Sequence, residues 1–149
     1  MHDVPRQLSE KELAELFEGR TPLVERLAGR DDPLGSAEEV IAELSDEEKV
    51  ATLNAHPAVG ERNLSERSAA EQGRGGDPVV LTELAYLNQV YEEKFGFRFV
   101  VFVAGRPHSE ILPLLRDRLA RTPEEELETG MSELVAIAQD RWQDQWRRP

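Results

Sequence analysis

Cysteine is absent from the chain. Its absence removes disulfides, thiolate metal sites and a thiol nucleophile together. No run approaches the roughly 18 apolar residues needed to span a bilayer, and the first residues carry no signal-peptide pattern. A cytoplasmic location fits, with no membrane partner expected. Positive charge is scarce: 18 Lys and Arg against 30 Asp and Glu leave a formal net charge of −12. Nucleic acid is therefore not an expected partner, since phosphate binding needs a basic footprint. A small anion remains bindable if a few positive groups gather in a pocket, which makes the inward-facing basic residues the ones to follow. Repeats, low-complexity runs and linkers are also missing. The only glycine-rich break, Gly73 to Gly76, is too short for a phosphate loop and lacks its lysine.

What remains is 149 residues with 39% hydrophobic and 32% charged content, a size and balance suited to one folded domain, 1–149, with a single core. Helix starts are unusually clear. Ser9-Glu10-Lys11-Glu12 forms a capping box, with Leu8 and Leu13 placed as a hydrophobic staple, opening a helix to about Phe17. Thr21-Pro22 pairs an N-cap with proline at the first helical position. Ser36-Ala37-Glu38-Glu39 and Ser45-Asp46-Glu47-Glu48 are further capping boxes, opening helices to Leu44 and to His56. A polar helix is expected from Ser65 to Gln72. Asp77-Pro78 begins a long helix to about Phe95, with Val80, Leu84, Leu87 and Tyr91 at helical spacing. Another runs from near Ser109 to Ala120, because Pro113 must then fall in the first turn or kink it. Thr122-Pro123-Glu124-Glu125 opens the last, which carries Leu127, Met131, Leu134, Ala138, Trp142 and Trp146. The fold class is all-α, about eight helices.

One stretch breaks the pattern. Phe97-Arg98-Phe99-Val100-Val101-Phe102-Val103 has the aromatic and β-branched content of a strand, but no second strand is available. The spacing predicts an extended segment buried among helices over 97–103. Its backbone groups must then be satisfied by a neighbouring loop, ordered water or a bound polar ligand.

Two short pieces carry candidate chemistry. His56 precedes Pro57, which steers it away from helical geometry and presents its side chain at an edge. Twelve residues beyond the histidine, Ser68, Glu71 and Gln72 share one helix face. An imidazole, a carboxylate, a hydroxyl and an amide could converge there for acid–base work without a metal. A metal hydrolase built on His56, Glu71 and His108 matches no ligand spacing. His2 and His108 are assigned no role. Read singly, His56 suits a structural or capping role, and Arg141 a surface ion pair with Glu133 or Asp140.

Taken together, these residues resemble the OHCU (2-oxo-4-hydroxy-4-carboxy-5-ureidoimidazoline) decarboxylase family. The matching pieces are Ala55-His56-Pro57 with Gly60, Ser68-x-x-Glu71-Gln72, and Leu87-Asn88-x-x-Tyr91-x-x-Lys94-Phe95-Gly96-Phe97-x-Phe99-Val100. Ile111-Leu112, Arg118-Leu119 and Glu133-x-x-x-Ile137-x-x-x-Arg141 follow in the family's order, over about residues 45 to 142. The chain departs from the family's usual pattern in reading His56-Pro57-Ala58-Val59-Gly60-Glu61-Arg62, in carrying Arg98 where proline is usual, and in a short segment after Gln72.

The resemblance implies an all-helical, often dimeric lyase without cofactor or metal. It would act on a small anionic purine-derived ring late in urate breakdown, yielding (S)-allantoin and carbon dioxide. It carries catalytic roles over to His56 and Glu71. Substrate contacts carry over to Pro57, Ser68, Gln72, the backbone of Phe99, Val100, Val101, Phe102 and Val103, and Arg141. The chemistry is coherent: the carbon bearing the carboxylate adjoins a C=N bond, so the ring accepts the electron pair itself. The competing reading is a non-catalytic helical interaction module, with Trp142 and Trp146 as a docking stripe.

Overall fold

The computed structural model describes residues 8–56 and 77–147, with side chains through residue 144. The fold is all-α. Seven helices occur among the described residues: α1 (Glu10–Phe17), α2 (Pro22–Leu27), α3 (Ala37–Glu43), α4 (Asp46–Asn54), α5 (Pro78–Phe95), α6 (His108–Leu119) and α7 (Pro123–Arg147). The helix expected from Ser65 to Gln72 lies outside the described residues.

Local chemistry sets most of these boundaries. Ser9 Oγ accepts from Glu12 N at 3.1 Å while Glu12 Oε1 accepts from Ser9 N at 3.0 Å. The same reciprocal pair closes at Ser45 with Glu48 and at Thr122 with Glu125. Each cap satisfies amide donors that a helix start would otherwise leave open. Thr21 caps α2, and Asp77 Oδ1 caps α5 through Val79 N at 2.8 Å. Gly96 ends α5 in the left-handed region at φ 81°, the conformation that favours glycine.

Two expectations need correction. Ser36 does not cap α3; its hydroxyl donates to the Asp32 and Pro33 carbonyls instead. The turn that brings the chain into α3 takes up the hydroxyl first, as serine side chains commonly do near their own backbone. The helix holding Pro113 begins at His108, one residue early, so the proline falls in its second turn. The carbonyl it leaves without a donor belongs to Ser109, which is exposed and open to water.

All seven helices contribute to one hydrophobic core, from Leu13 and Phe17 on α1 to Leu134 and Ala138 on α7. The long α7 packs against α1, α3 and α4, while α5 and α6 pack on each other. At the α4–α7 contact, a Cβ on Gly130 would sit 3.2 Å from Leu53 Cδ1, so a bare backbone there lets the two helices approach closely.

Residues 98–103 lie outside any helix or strand, and Phe97 is a bend that leads into them. Side chains supply much of the missing ladder. Asn54 Oδ1 accepts from Arg98 N at 2.9 Å, and Glu133 Oε1 accepts from Phe102 N at 3.2 Å. Arg118 Nη1 donates to Val100 O at 2.7 Å, and Arg106 donates to the Phe102 and Val103 carbonyls. Aromatic packing adds to this: the Tyr91 ring lies 4.5 Å from Phe95 and 5.3 Å from Phe99, centroid to centroid, separations at which such pairs attract.

Behind the segment sits a buried ionic hub. Glu126, wholly buried, accepts from Tyr91 Oη and Arg118 Nε, both at 2.7 Å, and from Arg121 Nη1 at 3.0 Å. It ties α5 and α6 to α7. Burial and the bond to Glu126 push the Tyr91 hydroxyl pKa up, so it stays a neutral donor. Removing one member of a buried charge cluster strands the others, at a cost of about 3–5 kcal/mol. Glu126→Ala should lose that much in urea unfolding, and Tyr91→Phe only about 1.5 kcal/mol, one charged hydrogen bond. Equal, small losses in both variants would remove the hub from the account.

Candidate active site

The end of α4 delivers His56. Its N–H donates to Leu53 O at 3.1 Å, keeping it on the helix's last turn just before Pro57. The imidazole is buried, at 6% exposure. Among the described residues its Nδ1 has no hydrogen-bond partner.

Arg141 reaches the same place from α7. It is 2% exposed, among the largest fully buried side chains of the molecule. Its Nη1 donates to Leu16 O at 2.8 Å, and its Nη2 pairs with Glu18 Oε1 at 3.1 Å. Arg141 is thus no surface residue, and Glu133, the expected surface partner, holds Phe102 N. Glu18 follows α1 in the left-handed region, φ 64° and ψ 28°. A residue with a side chain adopts that conformation at a cost of about 1–2 kcal/mol. In this geometry the Glu18 carboxylate meets the guanidinium of Arg141.

A second arginine closes the group. Arg98 Nη1 donates to His56 O at 2.7 Å. The sequence marks Arg98 only as a departure from the family's usual proline, with no role, and does not mark Glu18. An arginine inside an aromatic and β-branched run was the available signal for Arg98; Glu18 had none, because its partner lies far along the chain.

These neighbours set the charge state of the histidine. Burial, then Arg141 and Arg98, lower its pKa to about 4, while Glu18 opposes them. The imidazole is therefore neutral near neutral pH. In a chain of net charge −12, the surroundings of His56 contain two guanidiniums and one carboxylate among the described residues, a local positive excess suited to an anion.

The structure brings together His56, Arg141 and Arg98, the second residue of the 97–103 segment. Phe99, Val100, Val101 and Val103 are buried, and Phe102 is partly so. Among the described residues, no hydrogen bond reaches the backbone of Phe99 or Val101. Pro57, Ser68, Glu71 and Gln72 lie outside the described residues. Trp142 is partly buried against the core; the Trp146 side chain lies outside the described ones. His108 is buried at the start of α6. No described trio of His, Asp or Glu could hold a metal ion, and no described helix is long and apolar enough to cross a membrane.

A family model for OHCU decarboxylase matches residues 2–143. A uric acid degradation bifunctional protein of Bacillus sp. strain TB-90 is 31% identical over 114 residues, covering 73% of this chain but 23% of its own length. The chain therefore spans about a quarter of that relative. A 2-oxo-4-hydroxy-4-carboxy-5-ureidoimidazoline decarboxylase of Haloferax volcanii is 29% identical over 138 residues, 84% of this chain and 81% of that protein. In fold, the chain is similar to a crystal structure of OHCU decarboxylase in the presence of (S)-allantoin. The TM-score is 0.77 at 24% identity, over 95% of this chain and 100% of that one.

The depressed histidine has a consequence for stability. An unfolded histidine takes up its proton near pH 6.5, whereas the native imidazole stays neutral down to about pH 4. Between those values the unfolded state binds the extra proton, so stability falls as pH falls, by on the order of 3 kcal/mol across the window. Urea unfolding at steps from neutral to acid pH should show the decline, and His56→Asn should flatten it by that amount. An identical pH slope in the variant would contradict a buried neutral histidine.

Proposed function

The chain belongs to the OHCU decarboxylase family, and from that premise we propose that it converts 2-oxo-4-hydroxy-4-carboxy-5-ureidoimidazoline to (S)-allantoin and carbon dioxide. It would do so as a cofactor-independent carbon–carbon lyase of urate breakdown, as a homodimer in the cytoplasm. The observation that carries the reading is the buried imidazole of His56 beside the fixed guanidinium of Arg141.

The substrate is an anion, and the site meets it with positive charge. Leu16 O and Glu18 hold the Arg141 guanidinium in place, so its field is oriented before the ligand arrives, at no reorganisation cost during reaction. The substrate carboxylate then changes the balance around His56. A nearby negative charge favours the imidazolium, offsetting the two arginines and raising the histidine's proton affinity toward working pH.

The bond from ring carbon to carboxylate breaks and carbon dioxide leaves. Its electron pair enters the adjacent C=N, and His56 delivers one proton to one face of the ring. Glu71, in the segment outside the described residues, would orient the imidazole; Pro57, Ser68 and Gln72 would line the substrate. The backbone of 99–103 would read the ring amides, with Phe99 and Val101 the candidate donors and acceptors.

His56→Asn is the test. Asparagine keeps a polar group but carries no titratable proton, and general acid catalysis contributes about 10²- to 10⁴-fold. The variant should lose at least the lower end of that range while still binding an allantoin-like ligand, and its residual product should be racemic. Near-normal turnover to (S)-allantoin would sink the mechanism.

A further inference from the structure

The two halves of the site come from distant parts of the chain: the end of α4 and the extended run after α5. One residue of the run bonds twice to the end of α4. Arg98 N donates to the Asn54 side chain at 2.9 Å, and Arg98 Nη1 donates to the His56 carbonyl at 2.7 Å. Its Nε is buried and has no hydrogen-bond partner among the described residues, so the guanidinium is partly stripped of water and its contact to the carbonyl is a charge-assisted one. The proline usual at this position in the family the chain resembles has no amide hydrogen and no guanidinium. It could make neither bond.

We propose that Arg98 is a positioning residue for His56, clamping the end of α4 to the extended segment so that the imidazole is held in register with the backbone of 99–103. As a role in catalysis this rests on the decarboxylase reading above; as a clamp on His56 it does not. The Asn54 bond sets where the segment starts. The guanidinium bond fixes the last carbonyl before Pro57, and with it the direction in which the histidine side chain leaves the backbone. A misplacement of about 1 Å in such a group can lower a rate by about 10²-fold.

Arg98 also brings a positive charge to the imidazole. The other charged groups described around His56 are Arg141 from α7 and Glu18 from the end of α1, with Arg98 adding to the first and opposing the second.

Three variants separate a positioning role from a merely structural one: Arg98→Gln, Arg98→Lys and Asn54→Ala. Each is read for kcat and KM, and for the His56 titration midpoint by nuclear magnetic resonance in the substrate-free protein. Arg98→Gln should lower kcat about tenfold or more with KM little changed, and should raise the His56 midpoint because a positive neighbour is gone. Arg98→Lys should recover most of both. Asn54→Ala removes one bond and no charge at an exposed position, so it should lower kcat and leave the midpoint in place. An unmoved midpoint in Arg98→Gln, or loss of stability alike in the glutamine and lysine variants without the kcat split, overturns the proposal. If Arg98→Gln fails to fold, unchanged kcat in Asn54→Ala overturns it. Should the wild-type protein turn over no substrate while the midpoints move as stated, the decarboxylase reading fails and the Arg98 clamp stands.

Discussion

A run of seven residues with the composition of a strand, and no strand among the described residues to pair with, is the constraint on which this structure turns. Backbone donors and acceptors buried without partners cost as much as lost hydrogen bonds. Helices cannot offer their own backbone, which is already used, so the debt falls on side chains. Asn54, Arg106, Arg118 and Glu133 meet it from four directions. Arg118 in turn needs a counter-charge where it is buried, and Glu126 supplies one, together with Tyr91 and Arg121. The ionic hub is thus a consequence of the extended segment. A fully helical chain of this size would not require a wholly buried carboxylate.

The segment also explains the site. Backbone outside a helix does not spend its amides on a helical ladder, and the proposed reading uses those of Phe99 and Val101 to meet the ring amides of the substrate. The same run carries Arg98 to the carbonyl of His56. From the other side, α7 brings Arg141, and the end of α1 brings Glu18 in a left-handed conformation that a glycine would adopt more easily. Burial, with Arg141 and Arg98 nearby, holds the imidazole of His56 neutral near neutral pH. An acidic chain and a local positive excess around His56 coexist because the arginines are placed, not numerous.

How much of this the sequence revealed depended on the range of the interaction. Capping at Ser9, Ser45 and Thr122 is local, within three residues, and those helix starts were legible in detail. Ser36 misled because its competing acceptors, Asp32 and Pro33, lie in an irregular turn with no periodic signal. The unpaired character of 97–103 followed from counting strands, but which side chains would satisfy it did not. His56 was legible as a candidate from the proline that follows it, Arg141 only through the joint order of motifs. Their burial and pairing were not, since Arg141 meets Leu16 and Glu18 across almost the whole chain. The legible part was chemistry within a helical turn; the rest depended on tertiary geometry that no spacing rule contains.

The central claim of the proposed reading is that His56 is neutral before an anion binds and gains its proton when one does. Calorimetric titration with a non-reactive carboxylate analogue of the substrate, at about pH 6.5 in buffers of different ionisation enthalpy, counts the protons taken up on binding. The account predicts net proton uptake in the wild-type protein and its disappearance in His56→Asn. Binding without proton uptake, or equal uptake in the variant, would contradict it.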